Sequence, residues 1–177
     1  MSAAYFSHLA SYNQWMNRKL YNAAAVLSDE QLHADKGAFF HSIFGTLNHL
    51  VVADVLWLKR IAAHPAGFTS LAGMAVIPLP AALDQPLCAS LPDLTDLRAS
   101  LDEMLHAFCA EVTTECLDAP FDYASTKGVK GRKRLGEVLL HVFNHQTHHR
   151  GQVTTLLSQM GIDIGATDLI LLMPNVP

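Results

Sequence analysis

Apolar side chains recur every three or four residues along four long stretches of this 177-residue chain. The stretches cover residues 3–27, 42–63, 92–117 and 135–160, and no clear strand alternation lies between them. This spacing gathers apolar side chains on one face of a helix, and four such faces can enclose a single core. We therefore predict one all-α domain, a four-helix bundle, over residues 1–177.

The connection between the second and third predicted helices is unusually long. Residues 65–92 contain five prolines and two glycines and show no helical period. Antiparallel neighbours in a bundle need only short loops, whereas parallel neighbours need a long crossover connection. We expect the second and third helices to run parallel.

Three shorter segments complete the expected architecture. Ser28, Asp29 and Glu30 offer capping groups for a short helical turn after the first long helix. Residues 118–133 are polar and contain two glycines, which predicts a loop or a small hairpin. The tail, residues 162–177, is apolar at 169–173 and is expected to pack against the bundle or a neighbouring chain.

Charge and composition exclude several kinds of partner. Half of the residues are hydrophobic, 16% are charged, and the net charge is −4 with histidine neutral. This argues against disorder and against nucleic-acid binding, and the apolar surplus favours a homodimer. The basic residues of 127–134 are interrupted by glycine and valine, so they resemble a loop more than a phosphate site.

The location is expected to be cytoplasmic. Three cysteines without paired spacing are typical of a reducing compartment. The first residues lack the basic and apolar regions of a signal peptide. Polar residues at 48, 49 and 54 interrupt the longest apolar run, residues 47–58, which is too short to span a membrane.

Histidine is over-represented, and four of the ten histidines fall within residues 141–149. Two pairs have the i, i+4 spacing that places imidazoles one turn apart, His141 with His145 and His145 with His149. At about 100° per residue, His145 and His149 lie on the apolar side of the fourth helix. His141 and His148 lie towards its edge, so the inward pair is His145 and His149.

A metal site needs a third ligand from another helix, and His49 is the best candidate. It lies between Leu47 and Leu50 in the apolar second helix, where an imidazole needs a hydrogen-bond partner or a metal. Histidines near helix ends or in loops are weaker candidates: His8, His33, His41 and His64. The alternative is that the cluster consists of core or surface histidines satisfied by hydrogen bonds.

Other catalytic patterns are missing from the sequence. Glu103 and His106 form one Glu-x-x-His motif, but a di-iron bundle needs two copies and two further glutamates. By the same angular count both residues point away from the apolar stripe, so we interpret them as solvated. The chain has no His-Glu-x-x-His, phosphate loop, nucleophile elbow or Cys-x-x-Cys motif. Any chemistry would therefore depend on the metal.

The sequence resembles the DinB family, within the DinB/YfiT-like superfamily. The resemblance spans nearly the whole chain except the connector and the 118–133 segment, and its motifs are specific only when taken together. They lie at 140–152, at 12–17, at 45–50 with Asp54, Leu56, Trp57 and Arg60, and at Asp163 with 167–169.

This resemblance implies an up-down-down-up bundle, often dimeric, with a divalent zinc, nickel or iron ion held by His49, His145 and His149. Members of the wider superfamily include transferases and isomerases that use bacillithiol, mycothiol or glutathione-like thiols, which the metal is thought to activate. We expect a metal-dependent enzyme of the thiol S-transferase type acting on a small molecule, with hydrolysis less favoured. The alternatives are a stress-associated metal-binding protein without turnover and a purely structural bundle.

The sequence also suggests five residues that could lie around such a site, although no sequence feature fixes their roles. They are Asn13, Asn48, Arg60, Gln146 and Gln152.

Overall fold

The computed structural model describes residues 2–176, and they are mostly helical. The helices are α1 (Ala3–Ala24), α2 (Asp29–His33), α3 (Ile43–Ala62), α4 (Leu91–Glu111), α5 (Thr114–Asp118) and α6 (Leu135–Gln159). Two strands, β1 (Pro120–Ala124) and β2 (Lys130–Arg134), form a small antiparallel hairpin, and two 3₁₀ helices cover Thr69–Ala75 and Leu169–Leu172. The predicted helical class is confirmed.

The four long helices bury their apolar faces against one another. α1 packs against α4 and α6, and α3 packs against the same two helices. The Ser7 hydroxyl donates to the carbonyl of Cys109, and the Asn17 amide donates to Asp102, so α1 and α4 run in opposite directions. The ring of Phe6 stacks near that of Phe143, and Arg150 donates to Asn13, so α1 and α6 run in the same direction.

α3 and α6 are antiparallel neighbours, and this pair positions the histidines. His49 lies beside His145, and Trp57, two turns further along α3, lies beside His141. α3 is buried on nearly every face because α4 and α6 cover it together with the 3₁₀ helix of the long connector. Its first turn is capped by Ser42, whose hydroxyl accepts a hydrogen bond from the N–H of Gly45 at 2.9 Å.

The prediction that the third long helix reaches residue 117 is wrong. α4 ends at Glu111 because Val112 adopts an extended backbone conformation, and α5 begins at Thr114. The Thr113 hydroxyl accepts from the N–H of Cys116 at 3.3 Å and so caps a new helix. The apolar period continues across this break, which explains why the sequence indicates one helix.

The first helix is also shorter than predicted, since α1 ends at Ala24 rather than at residue 27. The short turn expected after it is present as α2. Ser28 and Gln31 form a reciprocal capping box, in which the Ser28 N–H donates to Gln31 and the Gln31 N–H donates to Ser28.

The three irregular segments each have some order. Residues 118–133 form most of the hairpin, as one of the two sequence alternatives predicted. The connector contains the 3₁₀ helix at Thr69–Ala75, whose Leu71 and Met74 are buried against α3 and α4. In the tail, the carbonyl of Thr167 accepts from the Tyr12 hydroxyl at 2.7 Å, while Ile170 and Leu171 are exposed.

A membrane crossing finds no support in this architecture. Within residues 2–176, none of the helices combines the length and the apolar character that a transmembrane span requires.

Candidate metal centre

Three histidines from two helices converge between α3 and α6. His49, His145 and His149 each offer one ring nitrogen, and these three nitrogens lie within 4.8 Å of one another. His49 and His149 are 4% and 8% exposed, and His145 is half-buried. The three residues to which the sequence argument assigned ligand roles are therefore neighbours in the fold.

The spacing and chemistry of these nitrogens suit a divalent metal ion. The Nε2 atoms of His49 and His145 are 3.3 Å apart. Two nitrogens bound at about 2.0–2.1 Å to a tetrahedral ion are separated by roughly the same distance, about 3.3 Å. Imidazole nitrogen is a common ligand for zinc, nickel and iron, so the donor set fits the ions that the sequence suggests.

Hydrogen bonds fix the orientation of two of the rings. The Nδ1 atom of His49 lies 2.9 Å from the carbonyl oxygen of Leu83, and the Nδ1 atom of His149 lies 2.7 Å from Oε1 of Gln152. These oxygens only accept, so each Nδ1 carries the proton and each Nε2 has its lone pair free. Outer hydrogen bonds of this kind are typical of metal-binding histidines.

The electrostatics of the cluster favour neutral imidazoles. Burial, reinforced by neighbouring His149 and His49, lowers the pKa of His145 to about 3. Burial also lowers the pKa of His49 and of His149, and it outweighs the opposing hydrogen bonds to Leu83 and Gln152. Since neutral imidazole is the form that binds metals, the free cluster is in a binding-competent state at neutral pH.

An aromatic ring covers one side of the cluster. The Phe40 ring stacks on His49 with centroids 3.7 Å apart and an angle of 16° between the planes, and it meets His149 edge-on at 5.6 Å. Sequence reasoning missed Phe40 because it precedes α3 in an irregular segment where no periodicity applies.

Comparison with known proteins assigns the chain to a family. The model of the DinB family matches residues 1–175. The chain belongs to the DinB family. A relative, Protein DinB of Bacillus subtilis (strain 168), is 28% identical over 160 residues, which cover 90% of this chain and 88% of the relative. No solved structure matches the chain.

One of the five residues suggested as lying around the site of this DinB-family protein contacts the cluster directly. Gln152 accepts from His149, as described above. Asn48 instead ties the connector to α3, donating to the carbonyl of Gln85 and accepting from the N–H of Leu87, both at 2.9 Å. Arg60 lies over the Trp57 ring at 4.6 Å, more than two helical turns from His49 along α3.

The other two, Asn13 and Gln146, belong to a buried polar network that crosses the core of this family member. Arg150 donates to the side-chain oxygens of both. A second guanidinium, that of Arg98, lies 2.7 Å from Asp54 and 3.0 Å from Asp102, and these side chains are 2–3% exposed. The Asn13 amide also donates to Asp102 at 3.1 Å, so the network joins all four long helices.

Sequence reasoning did not identify this network, although a signal was present. Arg98 and Asp102 have i, i+4 spacing within an apolar stripe, and Asp54 lies inside a helix that is apolar on nearly every face. A charged residue at a core position of a predicted helix indicates a buried partner, because an unpaired buried charge is costly.

The remaining histidines lie outside the cluster. His141 and His148 are exposed, in agreement with their predicted position at the edge of the face. Glu103 and His106 are exposed too, and His106 faces the Ser11 hydroxyl at 3.2 Å, so the interpretation as solvated residues is confirmed. Among residues 2–176, the three histidines form the one group of potential ligands close enough to share an ion.

Proposed function

We propose that this DinB-family protein binds one divalent metal ion through His49, His145 and His149 and acts as a metal-dependent enzyme of the thiol S-transferase type. The observation that carries the proposal is the convergence of three ring nitrogens within 4.8 Å of one another. The orientation of the His49 and His149 rings, each fixed by a hydrogen bond at Nδ1, supports the same assignment.

Three protein ligands are the number found in catalytic zinc sites, which keep a further position for water or substrate. A divalent ion held in this way lowers the pKa of a coordinated thiol or water and so provides a nucleophile at neutral pH. The chain's own contribution is positional. Leu83 and Gln152 hold the imidazoles, and the Phe40 ring excludes water from one side of them.

The alternative is a stress-associated metal-binding protein without turnover, and one observation favours it. Phe40 stacks directly on His49 and restricts the approach of a substrate from that side. A third possibility, a structural bundle, is compatible with the 3.3 Å approach of His49 and His145, which is also a hydrogen-bond distance.

Metal analysis of protein purified without a histidine tag separates the structural bundle from the two metal-binding functions. We expect one equivalent of zinc, nickel or iron per chain. His49→Ala, His145→Ala and His149→Ala should each weaken binding by at least about 100-fold, since each removes a direct ligand. His148→Ala is the matched control, because His148 lies on the same helix but is exposed. Undiminished metal content in the His145 and His149 variants would overturn the assignment of the site.

A thiol panel then tests the reaction. Conjugation of an electrophile is followed with bacillithiol, mycothiol or glutathione, in metal-loaded and metal-depleted protein. We expect a rate that depends on the metal with at least one thiol and that is lost in His145→Ala. The absence of such a rate with all three thiols would favour the non-catalytic alternative.

We further infer the assembly and location of the chain. The helix directions described above support an up-down-down-up four-helix bundle with the crossover between α3 and α4. Exposed apolar side chains on α6 and in the tail, Leu140, Ile170 and Leu171, support a homodimer. Light scattering at micromolar concentration should give twice the 19.3 kDa chain mass, and a monomer would contradict the dimer. The three unpaired cysteines support a cytoplasmic location, which cell fractionation tests.

A further inference from the structure

A cavity of about 650 Å³ lies beside the histidine cluster, at the start of α3. Its walls come from His33 at the end of α2, from the segment before α3, from the first turns of α3, and from the connector at residues 83–89. Pockets for small ligands usually measure about 300–1,000 Å³. The cavity therefore has the capacity for a whole small molecule.

The cavity shares a wall with the candidate metal centre. Phe40 lines the cavity and also stacks on His49 at 3.7 Å. Leu83 lines the cavity as well, and its carbonyl accepts from His49 at 2.9 Å. A molecule in the cavity therefore touches two residues that are in direct contact with the cluster.

The lining is aromatic and poor in charge. Phe39, Phe40 and Phe44 all contribute, and Phe39 is 81% exposed although its ring meets that of Phe40 edge-on at 4.9 Å. The described lining residues include no lysine or arginine; their one carboxylate is Asp84, and His33 and His41 add two imidazoles. Such a surface binds apolar rings well and offers no guanidinium or ammonium group to a phosphate or a carboxylate.

The wall at Phe40 is built from a strained turn. The N–H of Ser42 donates to the carbonyl of Phe40 at 2.7 Å, which closes a three-residue turn around His41. His41 has a φ of 63°, the only positive value among the non-glycine residues described. Strained backbone persists where the surrounding structure enforces it, and it is common at ligand sites.

Close packing against α3 holds this turn in place. A Cβ atom at Gly45 would overlap the carbonyl oxygen of Phe40, so the glycine allows the turn to approach the helix. The N–H of Lys36 donates to the carbonyl of His41 at 2.7 Å on the other side. The position of the Phe40 ring between the cavity and the cluster is thus fixed by the fold.

From these observations we infer that the cavity is a binding site for an uncharged, ring-containing small molecule, which it holds next to the histidine cluster with Phe40 between them. Binding requires no metal and no turnover. The inference is therefore independent of the reaction proposed for the histidine cluster, from which Phe40 separates the bound molecule.

Two fluorescent probes test the ligand class. N-phenyl-1-naphthylamine is uncharged, and 8-anilinonaphthalene-1-sulfonate has the same ring system with a sulfonate added. Titrated into metal-free protein, the uncharged probe should bind at one saturable site at least about tenfold more tightly than the sulfonate. Equal binding of the two probes, or tighter binding of the sulfonate, would refute the proposed ligand class.

A cavity-filling variant tests the location. Ala89 lines the cavity and is exposed, so Ala89→Trp should weaken binding of the uncharged probe at least about tenfold by occupying its space. The matched control is Ala66→Trp, at an exposed turn outside the cavity lining, which should change binding less than about twofold. Equal effects of the two variants would place the probe elsewhere.

Protection of a thiol in the unmodified chain gives a second measure of location. Cys88 lines the cavity, whereas Cys116 lies in α5 and is similarly half-buried. Saturating N-phenyl-1-naphthylamine should slow alkylation of Cys88 by iodoacetamide at least about fivefold and leave Cys116 unchanged, as read by mass spectrometry. Unchanged alkylation of Cys88 would overturn the assignment even if the tryptophan variants misfold.

The variant His145→Ala separates this inference from the proposed function. His145 does not line the cavity, so the variant should lose the metal and still bind the uncharged probe. If the metal and the thiol reaction are present but the probe does not bind in the cavity, the inference fails alone. If the probe binds and no metal-dependent reaction is found, the binding site stands and the proposed enzyme fails.

Discussion

Replacing Arg98 with methionine should strongly destabilise the fold. The guanidinium lies 2.7 Å from Asp54 and 3.0 Å from Asp102, with both ion pairs 2–3% exposed. Methionine retains much of the side-chain volume but leaves two carboxylates buried without this cation. Breaking a buried ion pair from one side costs about 3–5 kcal/mol. Urea unfolding with a slope of about 2 kcal/mol/M should then show a midpoint lowered by about 1.5–2.5 M.

The pH dependence of the Arg98→Met variant tests the cause of the loss. Burial already raises the pKa of Asp102 although Arg98 opposes it, so removal of Arg98 raises this pKa further. At a given pH the folded variant then binds more protons at Asp102 than the unfolded chain does. Its loss of unfolding free energy relative to the unmodified protein should therefore shrink as the pH falls from 8 towards 5. Arg18→Met on the exposed face of α1 is the control and should change stability by less than about 0.5 kcal/mol. A loss below about 1 kcal/mol at pH 8 would refute the reasoning.

Three further predictions concern the site and its supports. Burial lowers the pKa of His145 to about 3, so below pH 6.5 the unfolded chain binds a proton there while the folded chain does not. The melting temperature of metal-free protein should therefore fall as the pH is lowered below 6.5, and it should fall less steeply in His145→Ala. Equal slopes in the two proteins would count against a neutral cluster. Gly45→Ala should lower the free energy of unfolding by about 1–3 kcal/mol because the new methyl group overlaps Phe40. Gly151→Ala meets no atom within 4 Å and should raise it by about 0.5–1 kcal/mol in the same denaturation assay. An unchanged stability of Gly45→Ala would contradict the close approach of Phe40 to α3. Asn48→Ala leaves two backbone groups of the connector unpaired and should lower the free energy of unfolding by about 1–3 kcal/mol. It should also weaken metal binding about tenfold, as measured by chelator competition. Unchanged metal affinity would show that the connector does not support the site.

The long helices and the three histidines could be predicted because both depend on local geometry. The spacing of apolar residues places their side chains on one face of a helix regardless of what that face packs against. The rotation of about 100° per residue also puts His145 and His149 on the inner side of α6. His49 required one more step, namely that an imidazole among apolar residues needs a partner. The break between α4 and α5 could not be found in this way, because Thr113 caps a helix without interrupting the apolar period.

The supports of the site could not be predicted because they are long-range or belong to the backbone. The partner of His49 is the main-chain carbonyl of Leu83, which every residue possesses and no sequence pattern marks. The ring over the cluster comes from Phe40, whose position depends on the turn at His41. A pairing such as Arg98 with Asp54 requires knowledge of how α3 and α4 face each other, although the two residues are visibly out of place in apolar stripes.

The long connector has a second use besides joining α3 to α4. A connection that served only to join these two helices would place no demand on where its side chains and carbonyls lie. Here Asn48, which directly precedes His49 on α3, forms hydrogen bonds with the connector at Gln85 and Leu87. These two hydrogen bonds place the Leu83 carbonyl at the Nδ1 atom of His49. They also place Leu83 in the wall of the cavity beside Phe40. The segment with the least regular structure therefore sets the tautomer of one proposed ligand and the shape of the proposed binding site, which explains why a proline-rich sequence of restricted conformation suits it better than a flexible one.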